Sequence, residues 1–498
     1  MYRRIVYGVL LSCLAAILLS CAKGGESSAP TVVISKPGSG MIRVRLMFNA
    51  GSAYDPTGKE GLADFTAAAL RRGSKQYSRT QIDETLDDLA ARLSFDVDRD
   101  VVVIEGLCLT ESWPRFSDLL FSMLTEPTFD STEMARLVDD QLDAIEQIRR
   151  DDGDLAKAAL QYYIYYDQPY GHPVEGITHA VETITPADAR NFYNTYYTSN
   201  NYILGLAGDV SDSLANSINA RLKAGLSNTT PPAQVLPQPS VKGVQVHLIE
   251  KENRAQAQLR FGRPIDIGRQ DAAFMPLFLA NTYLGRHRES MGMLYQTIRA
   301  KRGLSYGAYS YAEHFDQDRG SNLARPGKPR REQYFSAWVY PKSVNAKFVI
   351  NIVMKTLTDM YNNGITDNQL ASAKEFEINH FPFEIETPRR LLGMRMDELE
   401  LQTPAFVDSF TTRAEAVTLD RANDAIKQAM DPNNMVIVAV VSNGEEFATQ
   451  LLSGEVLHEY PSGVDPMSLR SEDVPYTNYT LKIQPTDIHI VKADEMFK

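Results

Sequence analysis

The sequence predicts an α+β protein made of two tandem domains with the same plan. Three observations support this prediction: alternating apolar patterns typical of strands in both halves, amphipathic helical patterns between them, and a proline-rich segment near the middle. Residues 226–242 contain four prolines among Ser, Thr and Gln residues, and they form the best candidate for a linker. A chain of 498 residues is also long for one domain.

The first domain, residues 41–225, begins with an alternating apolar run that is typical of a half-buried strand. We expect the following elements in order: a strand at 42–49, a helix at 61–72 ended by Gly73, an amphipathic helix from the N-cap Thr80, a hairpin turning at 98–100, a long helix at 134–148 and a strand at 202–206. Strands and helices in this proportion indicate a sheet packed against helices.

The second domain, residues 243–453, repeats this order of elements. We expect the following: strands at 244–250 and 256–262, helices at 274–285 and 291–302, strands at 305–314 and 333–340, a long helix at 344–363, further helices from 366, and a strand at 435–441. The polar, basic residues 316–331 predict an exposed hairpin tip or loop. The C-terminal extension, 454–498, contains short alternating runs at 479–483 and 488–491, which predict added strands.

The N-terminus has the pattern of a targeting segment. Residues 1–20 carry Arg3 and Arg4 before an apolar run that is too short to span a bilayer comfortably. The sequence Leu-Leu-Ser-Cys that ends at Cys21 resembles a bacterial lipobox, which implies cleavage before Cys21 and acylation of its thiol. Residues 21–40 would then be a flexible tether. The alternative is an ordinary signal peptide that happens to contain a cysteine.

Composition excludes several classes of function. The formal net charge is −12, which makes the chain a poor general ligand for nucleic acid or anionic lipid. After processing, Cys108 is the remaining thiol, and its apolar neighbours predict a core position rather than a disulfide. No later segment is long and apolar enough to predict a membrane span.

Residues 61–74 read Gly-Leu-Ala-Asp-Phe-Thr-Ala-Ala-Ala-Leu-Arg-Arg-Gly-Ser. This stretch resembles the signature helix of the insulinase/pitrilysin zinc peptidases, the inverted zincins, which reads Gly-Leu-Ala-His-x-x-Glu-His-x-x-x-x-Gly-Thr. Residues 169–176 and 294–306 resemble two further segments of the family in the same order. The resemblance implies two tandem domains of the LuxS/metallopeptidase-like type, each with a mostly antiparallel sheet, which together form half of a clamshell.

The zinc chemistry of this family is missing from the chain. Two histidines four residues apart can hold Zn²⁺ on one helix face, and the glutamate between them polarises the bound water. These positions fall on Asp64, Ala68 and Ala67, and the third ligand of the family falls at or near Ala144. We therefore expect no metal on this chain, and expect Asp64 to be a solvated or capping carboxylate facing an empty cleft. Relocated ligands, with Asp143 or Glu146 close to Ala144, are the alternative.

The resemblance also implies a role for Arg299 and Tyr306. In the family, an Arg and a Tyr seven residues apart in the C-terminal domain reach the zinc site and stabilise the oxyanion, as a fixed fork of donors and a phenolic hydroxyl can. The alternative is that both residues serve structure alone. The Tyr-rich segment 162–166 is either interdomain packing, which we favour, or the wall of a peptide-binding site.

The resemblance points to a non-catalytic subunit of an envelope zinc-peptidase heterodimer. A partner subunit of the same family would carry the zinc, and this chain would bind extended peptide substrates by strand addition and complete the partner's site with Arg299 and Tyr306. A lipid anchor on Cys21 would hold it at the bacterial envelope, with a mild preference for the outer membrane facing the periplasm. The alternatives are a non-hydrolytic peptide-binding or structural scaffold, like the core subunits of the cytochrome bc complex, and an active metalloenzyme with relocated ligands.

Overall fold

The computed structural model describes residues 29–234, 236–316, 323–403 and 405–498. The predicted signal peptide and Cys21 lie outside these residues. The first half contains the following elements: β1 (Thr31–Ser35), β2 (Met41–Phe48), α1 (Leu62–Ala69), α2 (Arg79–Asp88), β3 (Arg92–Val97), β4 (Val102–Leu109), α3 (Trp113–Thr125), α4 (Ser131–Arg150), α5 (Asp152–Ile164), α6 (Thr178–Val181), α7 (Pro186–Tyr196), β5 (Tyr202–Gly208) and α8 (Asp212–Gly225).

The second half begins after the proline-rich residues, which carry no helix or strand where they are described. It contains β6 (Val244–Glu250), β7 (Gln258–Ile265), α9 (Phe274–Gly285), a π-helical turn (Tyr295–Ala300), β8 (Ala308–Tyr311), β9 (Gln333–Val339), α10 (Ala346–Asn363), α11 (Asp367–Glu384), α12 (Pro388–Glu400), α13 (Phe406–Glu415), α14 (Leu419–Ala429), β10 (Met435–Val441), α15 (Gly444–Leu452), α16 (Pro466–Thr477) and β11 (Ile488–Lys492). None of the helices in the described ranges has the length and apolar character needed to cross a bilayer.

The two sheets have the same topology, which confirms the predicted α+β duplication. The strand order is β1-β5-β2-β4-β3 in the first sheet and β6-β10-β7-β9-β8 in the second, with β11 added beside β6. In both sheets the first strand pairs in parallel with the last strand of its domain, and the remaining pairs of the repeat are antiparallel. Cys108 of β4 is buried in the core, as its neighbours predict.

The repeat explains why part of the predicted tether is wrong. Residues 31–35 were assigned to a flexible segment, but they form β1 and pair with residues 204–208. Their counterpart in the second sheet is β6, which the sequence did predict. The run Thr-Val-Val-Ile has the β-branched character of a strand, but the Gly/Pro-containing residues on both sides hid this signal.

Three smaller predictions are also corrected. The C-terminal extension is not rich in strands: β11 at 488–492 is present, whereas 479–483 is irregular and residues 466–477 form α16. The N-cap of α2 is Ser78 rather than Thr80, because Ser78 and Gln81 form a reciprocal capping box. The basic segment at 316–331 is not an exposed loop, since most of its described residues are buried or half-buried.

Each half of the chain supplies a helix that covers the sheet of the other half. Helix α12 packs on β5 and β1, and helix α5 packs on β10 and β7. Two glycines permit the close approach: a Cβ on Gly205 of β5 would meet the Met396 sulfur, and a Cβ on Gly262 of β7 would lie 2.9 Å from Cδ1 of Ile164. The two halves therefore share apolar cores and form one packed unit.

Candidate functional site

Helix α1, which carries the degenerate zinc positions, is held in place by Asp55 rather than by Asp64. Its N-cap is Gly61, at a φ of 102° that favours glycine. The carboxylate of Asp55 accepts hydrogen bonds from the backbone N–H groups of Gly61 and Ala63, both at 2.7 Å. These bonds satisfy donors that a helix start leaves unpaired. The expectation that Asp64 is a capping carboxylate is therefore wrong.

The four degenerate positions do not form a metal site. Ala67 is buried, and Asp64 and Ala68 are half-buried on the same helix. Ala144 lies half-buried on α4, which packs against α1. A catalytic zinc requires about three protein ligands, and only Asp64 of this set has a side-chain donor. The neighbours of Ala144 do not replace the missing ligands: Asp143 is exposed, and Glu146 pairs with the arginines at 149 and 150.

Asp64 is half-buried and has charged neighbours from both halves of the chain. Burial raises the pKa of Asp64 to about 7, with further upward contributions from Glu175 and Asp96 and a downward one from Lys328. Lys328 and its neighbours come from the second half of the chain. Cationic side chains of the second half pair with Asp96 on β3, the strand that packs against α1.

We call residues 323–331 the strap and residues 96–100 of the β3–β4 hairpin the acidic turn. Lys328 and Arg325 of the strap both form ion pairs with Asp96, and Arg330 forms a two-pronged pair with Asp98. The side chains of Arg330 and Asp98 are only 5% and 3% exposed. Although burial opposes ionisation, Arg330 and its neighbours hold the pKa of Asp98 at about 2.

The last strap residue continues the same pattern of contacts. The backbone N–H of Arg331 donates to Oδ2 of Asp100 at 2.9 Å, and its guanidinium contacts Oε1 of Glu400 at 3.2 Å and the hydroxyl of Tyr54 at 3.1 Å. Three aspartates at alternate positions in the first half thus meet cations and a backbone donor from one short segment of the second half. The sequence contains this signal as Asp-Val-Asp-Arg-Asp opposite Arg-Pro-Gly-Lys-Pro-Arg-Arg, but the sequence reasoning missed it because the two segments lie far apart in the chain.

One group in the described part of the chain has the proximity of metal ligands: Asp98, His314 and Asp316, with donor atoms within 4.8 Å of one another. Each carboxylate in it already pairs with a cation, Arg330 for Asp98 and Lys157 for Asp316. Burial lowers the pKa of His314 to about 4. The adjoining cavity measures about 20 Å³, which is room for one water. A divalent ion would have to displace both cations, so these residues fit a metal poorly.

Arg299 and Tyr306 lie together on the surface of the second half. The guanidinium carbon of Arg299 lies 3.9 Å from the ring centre of Tyr306 and 5.0 Å from that of Tyr295. Tyr306 is 68% exposed and Arg299 is half-buried. No hydrogen bond, ion pair or ring contact among the described residues joins this pair to the first half. The sequence reasoning missed Tyr295, although its position one helical turn before Arg299 favours such a contact.

The Tyr-rich segment is mainly packing between the halves, as we favoured. Tyr163 stacks on His247 of β6 with ring centres 3.5 Å apart, and Tyr165 is buried with its ring edge toward Tyr334 of β9. Tyr166 is the exception, since it is 63% exposed. The segment therefore joins the domains more than it lines a surface.

Comparisons with known proteins agree with this geometry. Family models match two parts of the chain, "Insulinase (Peptidase family M16)" over residues 31–177 and "Peptidase M16 inactive domain" over residues 183–376. The chain is similar to the uncharacterized zinc protease YmxG of Bacillus subtilis, at 21% identity covering 81% of this chain and 94% of that protein. It is also similar to the non-peptidase homolog YmxG of Helicobacter pylori, at 22% identity covering 80% and 88%.

Among solved structures, an M16 inactive domain from Pseudomonas fluorescens has a TM-score of 0.74 at 23% identity, covering 83% of this chain and 95% of that one. At this identity the likeness shows the fold. The two family models and this likeness in fold together show that the chain contains two M16-type domains.

Proposed function

This chain belongs to the insulinase family of peptidases, M16, as a member without the zinc-binding residues, and we propose that it is the non-catalytic subunit of an envelope zinc-peptidase heterodimer. The observation that carries the proposal is the contrast between the two half-sites. Helix α1 lacks the metal ligands of the family, whereas Arg299 and Tyr306 are stacked and partly open to solvent.

The chemistry of the exposed pair supports a role in trans. A guanidinium presents several donors in a fixed plane, and a phenol adds one more, which suits a negative charge that develops on a peptide oxygen. Stacking on Tyr306 orients the Arg299 guanidinium without consuming its donors in an ion pair. Because α1 of this chain lacks the residues that would bind zinc, we place the charge that this pair would stabilise at the zinc of a partner subunit.

We also propose where the protein is located in the cell and which molecules it binds. Acylation of Cys21 would anchor the mature chain at the envelope, most simply at the outer membrane facing the periplasm, and extended peptides would be the substrates. Metabolic labelling with a palmitate analogue tests the anchor: the wild type should be labelled and Cys21→Ala should not. Label on the variant would contradict the anchor.

Co-purification of the native complex tests the heterodimer. A tagged chain expressed from its own locus should retain a second M16 chain that carries His-x-x-Glu-His, and the pair should hydrolyse peptides that neither chain cleaves alone. Recovery of a stable homodimer, with no change in proteolysis on deletion of the gene, would instead support a non-hydrolytic peptide-binding or structural scaffold. One stoichiometric zinc on the purified single chain would support relocated ligands.

A further inference from the structure

The strap and the acidic turn form a complementary pair whose two members come from different halves of the chain. Asp96, Asp98 and Asp100 each meet a group of the strap, through Lys328, Arg330 and the N–H of Arg331 respectively. No helix or strand spans 323–331, and within its own half the strap is held by Leu323 in the second core and by the N–H of Gly327, which donates to the carboxylate of Asp397 at 3.0 Å. It is therefore a cationic segment that turns at residues 326–327 and pairs with an acidic surface.

The strap lies close to helix α1 and to an edge of the first sheet. Asp96, which pairs with Lys328 and Arg325, lies on β3, and β3 packs against α1, so the strap lies beside the helix that carries degenerate positions. This strand, β3, is one of the two edge strands of the first sheet. Edge strands bind extended peptides by strand addition, and a segment that pairs with this edge competes with such a peptide.

We propose that the acidic turn is a binding site for arginine- and lysine-rich extended segments and that the strap is its occupant in cis, an autoinhibitory contact. The proposal rests on the peptide-binding part of the proposed function and adds the class of peptide. A segment that displaces the strap has to supply a guanidinium to Asp98, because that carboxylate is buried and tolerates no unpaired state. It has to compete with a tethered ligand, whose effective concentration is in the millimolar range.

Two features of the structure support the proposal that the strap is a ligand of the acidic turn. Pro326 and Pro329 each follow a cationic residue, and proline removes the backbone donors that would otherwise fix the strap in a sheet. The two halves are joined independently by α5 and α12, so the fold does not need the strap to hold the domains together. Displacing residues 325–331 changes the occupant of the acidic turn and leaves α5, α12 and the core residue Leu323 in place.

The test is a titration of the purified full chain with a fluorescent peptide of residues 323–332, Leu-Ala-Arg-Pro-Gly-Lys-Pro-Arg-Arg-Glu. Arg330→Gln frees Asp98, so this variant should bind the peptide at least about tenfold more tightly than the wild type, which holds its own strap. The gain should disappear when Asp98→Asn is added, or when the peptide carries Gln at the position of Arg330. Arg395→Gln, a substitution that breaks the pair with Asp408 on another surface, is the matched control and should behave as the wild type.

Equal affinity of the wild type and Arg330→Gln, within twofold, would overturn the proposal, as would binding that survives Asp98→Asn. If Arg330→Gln does not fold, Lys328→Gln replaces it, because its partner Asp96 is 26% exposed. That variant should gain at least about threefold in peptide affinity, and Asp96→Asn should remove the gain; unchanged binding overturns the proposal here too. The titration uses the single chain, so its outcome is independent of whether a zinc-bearing partner co-purifies.

Discussion

The guanidinium of Arg299 lies over the ring of Tyr306 at 3.9 Å, on a surface of the second half that makes no described contact with helix α1. The pair is thus ordered by its own stacking rather than by a neighbouring active site. Exposed cation–π contacts contribute about 0.5–1 kcal/mol, so this arrangement adds little to the stability of the fold. The proposed role at a partner's zinc site would explain why the pair is exposed.

The first prediction concerns Arg299 in the complex with the proposed zinc-bearing partner. Arg299→Ala should lower kcat/KM for peptide hydrolysis by about 10²-fold, because one donor to a developing oxyanion has an effect of this size. Steady-state kinetics of the reconstituted complex is the measurement. The melting temperature of the single chain should barely change.

Arg470→Ala is the matched control, an exposed arginine of the same half whose loss should leave the kinetics unchanged. Tyr306→Phe should give an intermediate loss, since the ring still supports the guanidinium while the hydroxyl is gone. Full activity of the complex with Arg299→Ala would show that the pair serves structure alone.

The second prediction concerns Gly205 and Gly262, which allow α12 and α5 to pack closely on the sheet of the other half. Gly205→Ala and Gly262→Ala should each destabilise the chain by about 1–3 kcal/mol, because the added methyl groups meet α12 and α5 in a packed interface. Chemical denaturation measures the change. Gly454→Ala, at a position with nothing within 4 Å, should shift the free energy of unfolding by less than about 0.5 kcal/mol.

Met396→Ala should partly rescue Gly205→Ala, because it removes the sulfur that the new methyl meets. It should not rescue Gly262→Ala, whose added methyl meets Ile164 and Leu160 of α5 instead. Equal rescue of both would contradict the reciprocal arrangement of α5 and α12.

The third prediction concerns the C-terminus, which returns to the first half. Arg149 donates to the carbonyls of Met496 and Phe497 at 2.7 and 2.8 Å, and the Thr178 N–H donates to the Phe497 carbonyl at 2.9 Å. Phe497 is 5% exposed within the first core. Phe497→Ala should therefore cost about 3 kcal/mol of unfolding free energy. Lys498→Ala, whose side chain is 60% exposed, should be near neutral.

Hydrogen exchange of β11 should report the same change locally. This strand pairs with β6 just before the chain reaches Phe497, so release of the C-terminus should speed exchange there before it affects β6. Unchanged exchange and unchanged stability in Phe497→Ala would contradict a structural role for the last residues.

The fourth prediction concerns pH. The pKa of Asp64 is about 7 in the folded chain and about 4 in an unfolded one, so between these values the folded state keeps a proton that the unfolded state has lost. Stability contributed by the neutral carboxyl is therefore complete at low pH and is lost as the pH rises through 7. The wild-type melting temperature should fall from pH 5.5 to 8 for this reason.

Asp64→Asn cannot lose that proton, so its melting temperature should depend less on pH in this window and should exceed the wild-type value at pH 8 by about 2–4 °C, after a discount for solvent screening. Asp139 is exposed on α4, so Asp139→Asn should keep the wild-type dependence of the melting temperature on pH. Parallel profiles for the wild type and Asp64→Asn would contradict the raised pKa of this half-buried carboxyl.

Much of the fold follows from local patterns. Alternation in β2 and the apolar run of β10 predict strands, and the Pro-rich residues predict the junction, because burial of one face imposes a period on the sequence. β1 was missed because its neighbours are Gly, Pro and Ser, and only its pairing with β5 makes it a strand. The strap was placed in an exposed loop because a run of Arg, Lys and Pro is normally solvated, and its acidic partners lie more than 200 residues earlier in the chain.

The sequence alone determined that this chain has two M16-like halves and no set of zinc ligands at Asp64, Ala67, Ala68 and Ala144, because side-chain chemistry is written directly in the residue types. Tertiary structure alone decided which distant segments meet near helix α1. The strap meets the acidic turn only after two sheets, formed from distant segments, bring opposite charges together in a buried space where each has to be paired. The same packing decided that Arg299 stacks on Tyr306 and not against α1, since long-range proximity depends on the folded path of the chain.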